Sequence, residues 1–362
     1  MRLKVIQRKS AYNDPMPETC SRPVTWYRTP LDSKIFKSLH EKSDFWGWLQ
    51  TLGYLGLLVL TGGTVLYAAG RWPAWAVLPL IFLHGTFYAF QINAVHELGH
   101  GTVFKTKALN AFFTRVFAFL GMINFEMFNV SHARHHRYTL HVPDDLEVVL
   151  PQKVMIRNFF VQGFVNFGHL KWMIRDTLRV ALGRLRGEWE LTLFPEGSPE
   201  RKAPIYWART LLIGHGLILI FSLYFHLWLL PVLITLGPCY GGWLHMLCNA
   251  TQHIGLQDGV PDFRLCCRTF TVNPFVQFLY WHMNFHIEHH MFAAVPCYRL
   301  ERLHRLIKHD LPHCPHGLIA TWQEIFAIQE IQKTNPDYQH VALLPSVSPT
   351  EDISSKSVAA GA

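Results

Sequence analysis

Histidines at helical spacing are the residues of this sequence best suited to chemistry. The 362-residue chain has 22 of them, and three clusters stand out. They are His96-Glu97-Leu98-Gly99-His100, His132-Ala133-Arg134-His135-His136 and His286-Ile287-Glu288-His289-His290. On an α-helix, residues three and four positions apart share one face, so each cluster presents its imidazoles in one direction. Neutral imidazole is a ligand for iron, copper and zinc near neutral pH, and the spacing therefore predicts a metal site.

A fourth element repeats the same spacing. Asn249 and His253 stand four residues apart at the end of an apolar stretch. His253 and the eight cluster histidines are too many ligands for one tetrahedral ion. They predict two metal sites of four to five nitrogen ligands each, with positions left open for dioxygen or water.

Other polar residues in or near the clusters are candidates to orient the ligands. A metal-binding imidazole usually donates its second N–H to a carboxylate or another acceptor. The candidates for this supporting role are Glu97, Asp144, Asp145, His245, His282, Asn284 and Glu288. For Asp144 and Asp145, capping of a helix after Pro143 is the alternative.

The composition indicates what kind of chain holds these residues. Half of the residues are hydrophobic and only 16% are charged, against about 25% in soluble domains. Mean hydropathy is +0.12. These values exclude a disordered chain, a coiled coil and a fibrous repeat, and they favour a membrane protein. The seven cysteines form no CxxC pair, so we interpret them as reduced thiols, mostly packing residues.

Uncharged runs predict the membrane spans. Residues 45–69 and 72–95 each contain no charged side chain and are long enough to cross a bilayer, which takes about 20 residues. Only Gly70 and Arg71 separate them, as in a helical hairpin. Residues 210–257 are 48 consecutive uncharged residues, enough to cross twice if the chain turns near Phe225 and His226. The sequence thus predicts four spans in two hairpins.

Lysines and arginines predict the sidedness. They are concentrated before residue 45, between residues 93 and 202 and after residue 256. The positive-inside rule then places both hairpin turns outside, and the termini and histidine clusters in the cytosol. This topology accounts for the net charge of +8, so we expect no nucleic-acid partner. Residues 108–128 and 269–287 are less apolar, and we expect helices on or dipping into the interface.

The predicted fold is therefore an all-α integral membrane protein. Four transmembrane helices in two hairpins support a cytosolic helical cap that carries the histidine clusters. We expect a basic cytosolic segment over residues 1–44, the membrane domain over residues 45–340, and a disordered tail over residues 341–362.

Two other function classes compete for part of this pattern. His96, Glu97 and His100 also match HExxH, the zinc-protease motif, and Asp258-Gly259 offers a third ligand of the type found in intramembrane proteases. That interpretation leaves the second and third clusters without a role. A metal transporter would place its ligands in the middle of the membrane, whereas here the predicted spans contain no acidic residue.

The three clusters in order resemble the histidine boxes of the membrane fatty acid desaturase/hydroxylase superfamily, over about residues 45–310. The first box has three intervening residues, unlike the four of the stearoyl-CoA branch, and the third begins with His286, where front-end desaturases have Gln. The resemblance implies a di-iron centre bound by the eight box histidines. The stearoyl-CoA desaturases add a histidine and a water-bridged asparagine, which match His253 and Asn249.

The resemblance also implies a reaction. Two iron ions with dioxygen would oxidise an unactivated C–H bond, and we expect desaturation of a fatty acyl or related lipophilic substrate. The same ligands would serve a hydroxylase acting on a lipid or a small non-lipid molecule. The sequence has no haem-binding His-Pro-Gly-Gly motif, so we expect a separate electron donor, a b-type cytochrome or a ferredoxin with its reductase. The expected location is the endoplasmic reticulum in a eukaryote and the inner membrane in a bacterium.

Overall fold

The computed structural model describes residues 23–152 and 156–345, and in these ranges the chain is helical. It contains no β-strand there, only isolated bridges such as the pair Thr269 and Phe285. This confirms the all-α prediction. The helices are α1 (Ser33–Leu39), α2 (Asp44–Ala68), α3 (Ala74–Tyr88), α4 (Gln91–Gly99), α5 (Lys107–Leu120), α6 (Phe125–Tyr138), α7 (Ile156–Phe164), α8 (Phe167–Ala181), α9 (Glu188–Leu193), α10 (Lys202–Tyr224), α11 (Leu229–Leu233), α12 (Trp243–Asn249), α13 (Phe263–Cys266), α14 (Pro274–Leu279), α15 (His286–Met291), α16 (Cys297–Ile307) and α17 (Gly317–Thr334).

The first two apolar runs form long helices that pack together. Helix α2 begins where the Ser43 side chain accepts a hydrogen bond from the Trp46 N–H, and it lies against α3. Helices α3 and α4 follow each other so closely that residues 74–99 form one apolar helical segment of 26 residues. At about 1.5 Å per residue, this segment is longer than the roughly 30 Å hydrocarbon layer.

The third apolar stretch differs from the prediction in its second half. Helix α10 ends at Tyr224, and His226 has a φ of +56°, so the expected turn is present. Beyond it the chain forms only α11, a 3₁₀ turn and α12. Pro231 and Pro238 lack the backbone N–H that a continuous helix needs, and Gly241 has a φ of +69°. The second crossing predicted between residues 227 and 257 is therefore not a single helix.

Helices α5 and α6 bring a further apolar segment to the fold. The chain bends by 112° between the two helices. Helix α6 begins after Asn124, whose side chain accepts a hydrogen bond from the Met127 N–H. By length and composition, three helical segments among the described residues are able to cross a membrane, or four if this bent pair is one span. The sides of the membrane on which the termini and the histidines lie stay a prediction.

Residues 269–287 also differ from the expected helix. Only α14 and the first two residues of α15 are helical there, and the rest forms turns, extended chain and isolated bridges. This segment enters the largest apolar core, where the Trp281 ring packs edge-on against Tyr54 of α2 and Phe117 of α5, with centroids 5.9 Å from each. The core therefore joins the N-terminal membrane helices to the segment that precedes the third histidine cluster.

The predicted terminal regions lie partly outside the described residues. Residues 1–22 and 346–362 belong to the basic N-terminal segment and the tail, so the expected disorder of the tail stays a prediction. The six cysteines in the described ranges form no disulfide, and five of them are buried. Cys20 lies outside those ranges.

Candidate metal centre

Four elements carry the predicted ligands. Helix α4 provides His96 and is followed directly by His100, α6 provides the second cluster, and α15 provides the third. His253 lies in the turn after α12. Within each helix the i, i+3 and i+4 spacing turns the imidazoles to one side, and the packing of the core brings these sides together.

The first group joins all three clusters. Its donor nitrogens all lie within 4.8 Å of one another. The Nε2 atom of His136 is 2.9 Å from Nε2 of His132 and 3.1 Å from Nε2 of His289. The group consists of His96, His100, His132, His136 and His289.

The second group lies directly beside the first. Its donor atoms belong to His253, Cys267, His286 and His290, again within 4.8 Å of one another. The Nε2 atoms of His286 and His253 are 3.0 Å apart. The ring of His290 stacks on the ring of His136 from the first group, with centroids 4.3 Å apart.

His135 borders the second group. Its ring centroid lies 4.9 Å from that of His290 and 5.3 Å from that of His253. The nine histidines predicted as ligands are therefore all brought together, five in the first group, three in the second and His135 beside the second.

The donor atoms fit metal ions. Two imidazole nitrogens bound at a right angle to one ion, each at about 2.1 Å, lie roughly 3 Å apart, which matches the Nε2–Nε2 distances in both groups. The Nε2 atoms of His96, His100 and His290 are buried without a hydrogen-bond partner. Leaving such an atom unpaired costs about 1–3 kcal/mol, a cost that a bound ion removes.

Burial keeps these imidazoles in the form that binds metal. It lowers the pKa of His253 to about 3 and holds the pKa values of His289 and His290 well below the ordinary value, with further lowering by neighbouring imidazoles. These rings are therefore neutral at physiological pH, and each offers a lone pair.

Carboxylates accept the second N–H of three ligands. Glu97 Oε1 is 2.9 Å from Nδ1 of His96, and Asp145 Oδ2 is 2.7 Å from Nδ1 of His135. Burial alone would raise the pKa of Asp145, but its interactions with His135 and with the backbone N–H groups of Leu140 and Glu147 outweigh burial and lower that pKa. These contacts fix which nitrogen is left to face an ion.

The third carboxylate, Glu147, was missed by the sequence reasoning. Its Oε1 atom lies 2.8 Å from Nδ1 of His132, and its other oxygen accepts from the Ser131 hydroxyl. A signal was present, since Glu147 follows Asp144 and Asp145 in one acidic run after the second cluster.

Some of the predicted supporting residues have other partners. The Asp144 carboxylate lies 3.1 Å from Nη2 of Arg134. Glu288, although inside the third cluster, pairs with His304 and Thr269, away from the box imidazoles on its own helix. The expectation that these two carboxylates orient a ligand is not met by the hydrogen bonds they make.

The remaining predicted positions make local contacts. The Asn284 amide donates to the Phe270 carbonyl at 2.9 Å, and Nδ1 of His282 is 3.2 Å from Nε2 of Gln277. The ring of His245 packs edge-on against Phe90. Asn249 is exposed at the end of α12, and its water-bridged role stays a prediction.

Cys267 was the other residue that sequence reasoning missed. It belongs to no CxxC pair and is separated from the third cluster by 18 residues, so no local pattern connects it to the histidines. Only the folded chain brings its sulfur to the second group.

The HExxH interpretation does not fit this geometry. Glu97 is fully buried and its Oε1 atom pairs with Nδ1 of His96, which is the role of a carboxylate that orients a ligand. Asp258, the expected third zinc ligand, accepts from Nε2 of Gln339 at 2.7 Å and belongs to neither group.

Comparison with known proteins agrees with the arrangement of the histidines. The family model described as fatty acid desaturase matches residues 70–322, which include all four elements of the metal centre. No curated protein matches the chain. Since the family match extends over more than two thirds of the sequence, the chain belongs to the membrane fatty acid desaturase/hydroxylase superfamily.

Proposed function

We propose that this protein is a di-iron oxidase that uses dioxygen to desaturate a fatty acyl or related lipophilic substrate. The observation that carries the proposal is the pair of adjacent, buried imidazole groups, which contact each other through His136 and His290. Membership of the family implies an oxidoreductase. Two neighbouring nitrogen-rich sites are what a pair of redox metals needs.

Each group has enough donors for one ion. The five histidines of the first group would hold one iron, and His253, His286 and His290 with the bordering His135 would hold the other. When bound, the two ions supply the activation of dioxygen with electrons from an external donor.

The protein's own residues prepare this site in two ways. Glu97, Asp145 and Glu147 hold Nδ1–H of three imidazoles, so that the opposite nitrogen of each ring faces the group. The surrounding core buries most of these imidazoles, and His135 and His289 are at most 2% exposed. A buried site of fixed geometry directs oxidation to the substrate.

A lipid bilayer is the proposed environment and source of substrate. Helices α2 and α10 expose large apolar side chains such as Leu60 (66%) and Ile213 (64%), which a bilayer would cover. We propose a multi-pass protein with both termini and the metal centre in the cytosol, in the endoplasmic reticulum or a bacterial inner membrane. The electron donor is proposed to be a separate b-type cytochrome or ferredoxin.

Hydroxylation is the alternative outcome of the same chemistry. Removing a second hydrogen from the neighbouring carbon gives an alkene, whereas returning oxygen to the substrate gives an alcohol. The ligand set serves both reactions, and the placement of the substrate decides between them. A hydroxylase could act on a lipid or on a small non-lipid molecule.

The test is product analysis with labelled acyl chains. Purified protein in liposomes would receive reductase, electron donor and dioxygen, and the product would be identified by mass spectrometry. We expect an alkene from the wild type, none from His289→Ala, and unchanged yield from the surface control His313→Ala. An alcohol would favour the hydroxylase, and no dioxygen-dependent product with any lipophilic substrate would contradict the proposal.

A further inference from the structure

Cys267 occupies a position in the second group that the family resemblance does not explain. Its side chain is 2% exposed, and its Sγ atom lies within 4.8 Å of the donor nitrogens of His253, His286 and His290. The first group consists of imidazoles alone. The two candidate sites therefore differ in chemistry, because only the second includes a sulfur atom.

The backbone around Cys267 is tied to the turn that carries His253. The carbonyl of Cys266 accepts from Nδ1 of His253 at 2.8 Å. On the other side, the Arg268 guanidinium donates to the carbonyls of Thr251 and Ile254, the latter at 3.1 Å. Cys267 lies between these two anchors, so its position relative to His253 is fixed by hydrogen bonds on both sides.

A second observation at the group also points to a ligand. Nε2 of His290 is buried without a hydrogen-bond partner, and His286 and His290 are 98% and 97% buried. Helix α13, which ends just before Cys267, packs on α15, which carries both histidines. An unpaired buried nitrogen beside a buried thiol is the arrangement that metal coordination would satisfy.

From this geometry we infer that Cys267 Sγ is a ligand of the second ion, which makes the two metal sites unequal. The inference rests on the proposed metal centre. Binding would form one metal–sulfur bond, and the thiol proton would pass to solvent. With His135, the second site would then hold four imidazoles and one thiolate, a donor number equal to that of the first.

Cobalt substitution gives a spectroscopic test. Thiolate bound to Co²⁺ produces a charge-transfer band in the near ultraviolet that imidazole ligands do not produce. We expect this band in the wild type loaded with cobalt and its complete loss in Cys267→Ser. The matched control is Cys266→Ser, which removes the neighbouring buried thiol, lies outside the group and should keep the band.

X-ray absorption of the iron-loaded wild type provides a measurement that does not depend on the stability of any variant. We expect one sulfur neighbour for every two irons, at about the 2.3 Å typical of metal–thiolate bonds. Iron with nitrogen and oxygen neighbours only, or a cobalt band that persists in Cys267→Ser, would overturn the inference and leave the di-iron proposal intact. A wild type that binds no metal would overturn both.

Discussion

Asp145→Asn tests the role of the carboxylates in holding the ligands. The Asp145 side chain is fully buried, and it accepts three hydrogen bonds, from His135 Nδ1 at 2.7 Å, from the Leu140 N–H at 2.8 Å and from the Glu147 N–H at 2.9 Å. Asparagine has a single acceptor oxygen and no charge, so it cannot satisfy these donors as the carboxylate does.

The expected loss follows from that comparison. Removing the acceptor of a metal-binding histidine typically lowers metal affinity 10- to 100-fold, which corresponds to about 1.4–2.8 kcal/mol. The His135 ring lies closer to the rings of His290 and His253 in the second group (4.9 and 5.3 Å) than to those of His132 and His136 in the first (5.6 and 6.1 Å). The weaker binding should therefore fall mainly on the second ion. Titration of the apo protein with Fe²⁺ against a competing chelator would resolve the two affinities.

The neighbouring residue is a matched control. Asp144 bonds to Arg134 and to no box imidazole, so Asp144→Asn should bind both ions with wild-type affinity. Size-exclusion profiles and melting curves of both variants would show that the fold is retained. Two ions bound by Asp145→Asn as tightly as by the wild type, or an equal loss in Asp144→Asn, would refute the reasoning.

Two further predictions concern the metal-free fold. Burial holds the pKa values of His253, His289 and His290 below those of the unfolded chain. The unfolded state therefore binds more protons below pH about 6.5, and Tm should fall as the pH drops from 7 to 5.5. A constant Tm over this pH range would contradict the prediction. Gly85→Ala places a Cβ against the Tyr240 ring and 2.7 Å from its carbonyl oxygen, and should cost about 1–3 kcal/mol. A Cβ at Gly56 would have no atom within 4 Å, so Gly56→Ala should have a Tm no lower than that of the wild type. Equal Tm values for the two variants would contradict the packing argument.

The parts of the centre that depend on local geometry were predictable from the sequence. The relation of His96 to His100, or of His132 to His136, is set by helical spacing alone. The apolar runs likewise predicted the long helices α2 and α10. Helix α2 begins and ends within one residue of the predicted run, and α10 ends at the predicted turn but begins eight residues before the uncharged stretch.

Features that depend on packing between distant segments were not predictable. Asp144 and Asp145 are adjacent in the chain, and only the folded backbone decides that one meets Arg134 and the other His135. Cys267 reaches the second group through tertiary packing, without any sequence motif. Hydropathy also failed for the stretch after Tyr224, because it counts apolar residues and does not register the breaks that prolines impose on a helix.

Iron content per chain tests the central claim most directly. His289 belongs to the first group and His286 to the second, so His289→Ala and His286→Ala each damage a different site. We predict about two iron ions per wild-type chain, clearly fewer in each variant, and an unchanged content in His313→Ala. A single zinc ion that is retained in both variants would contradict the account.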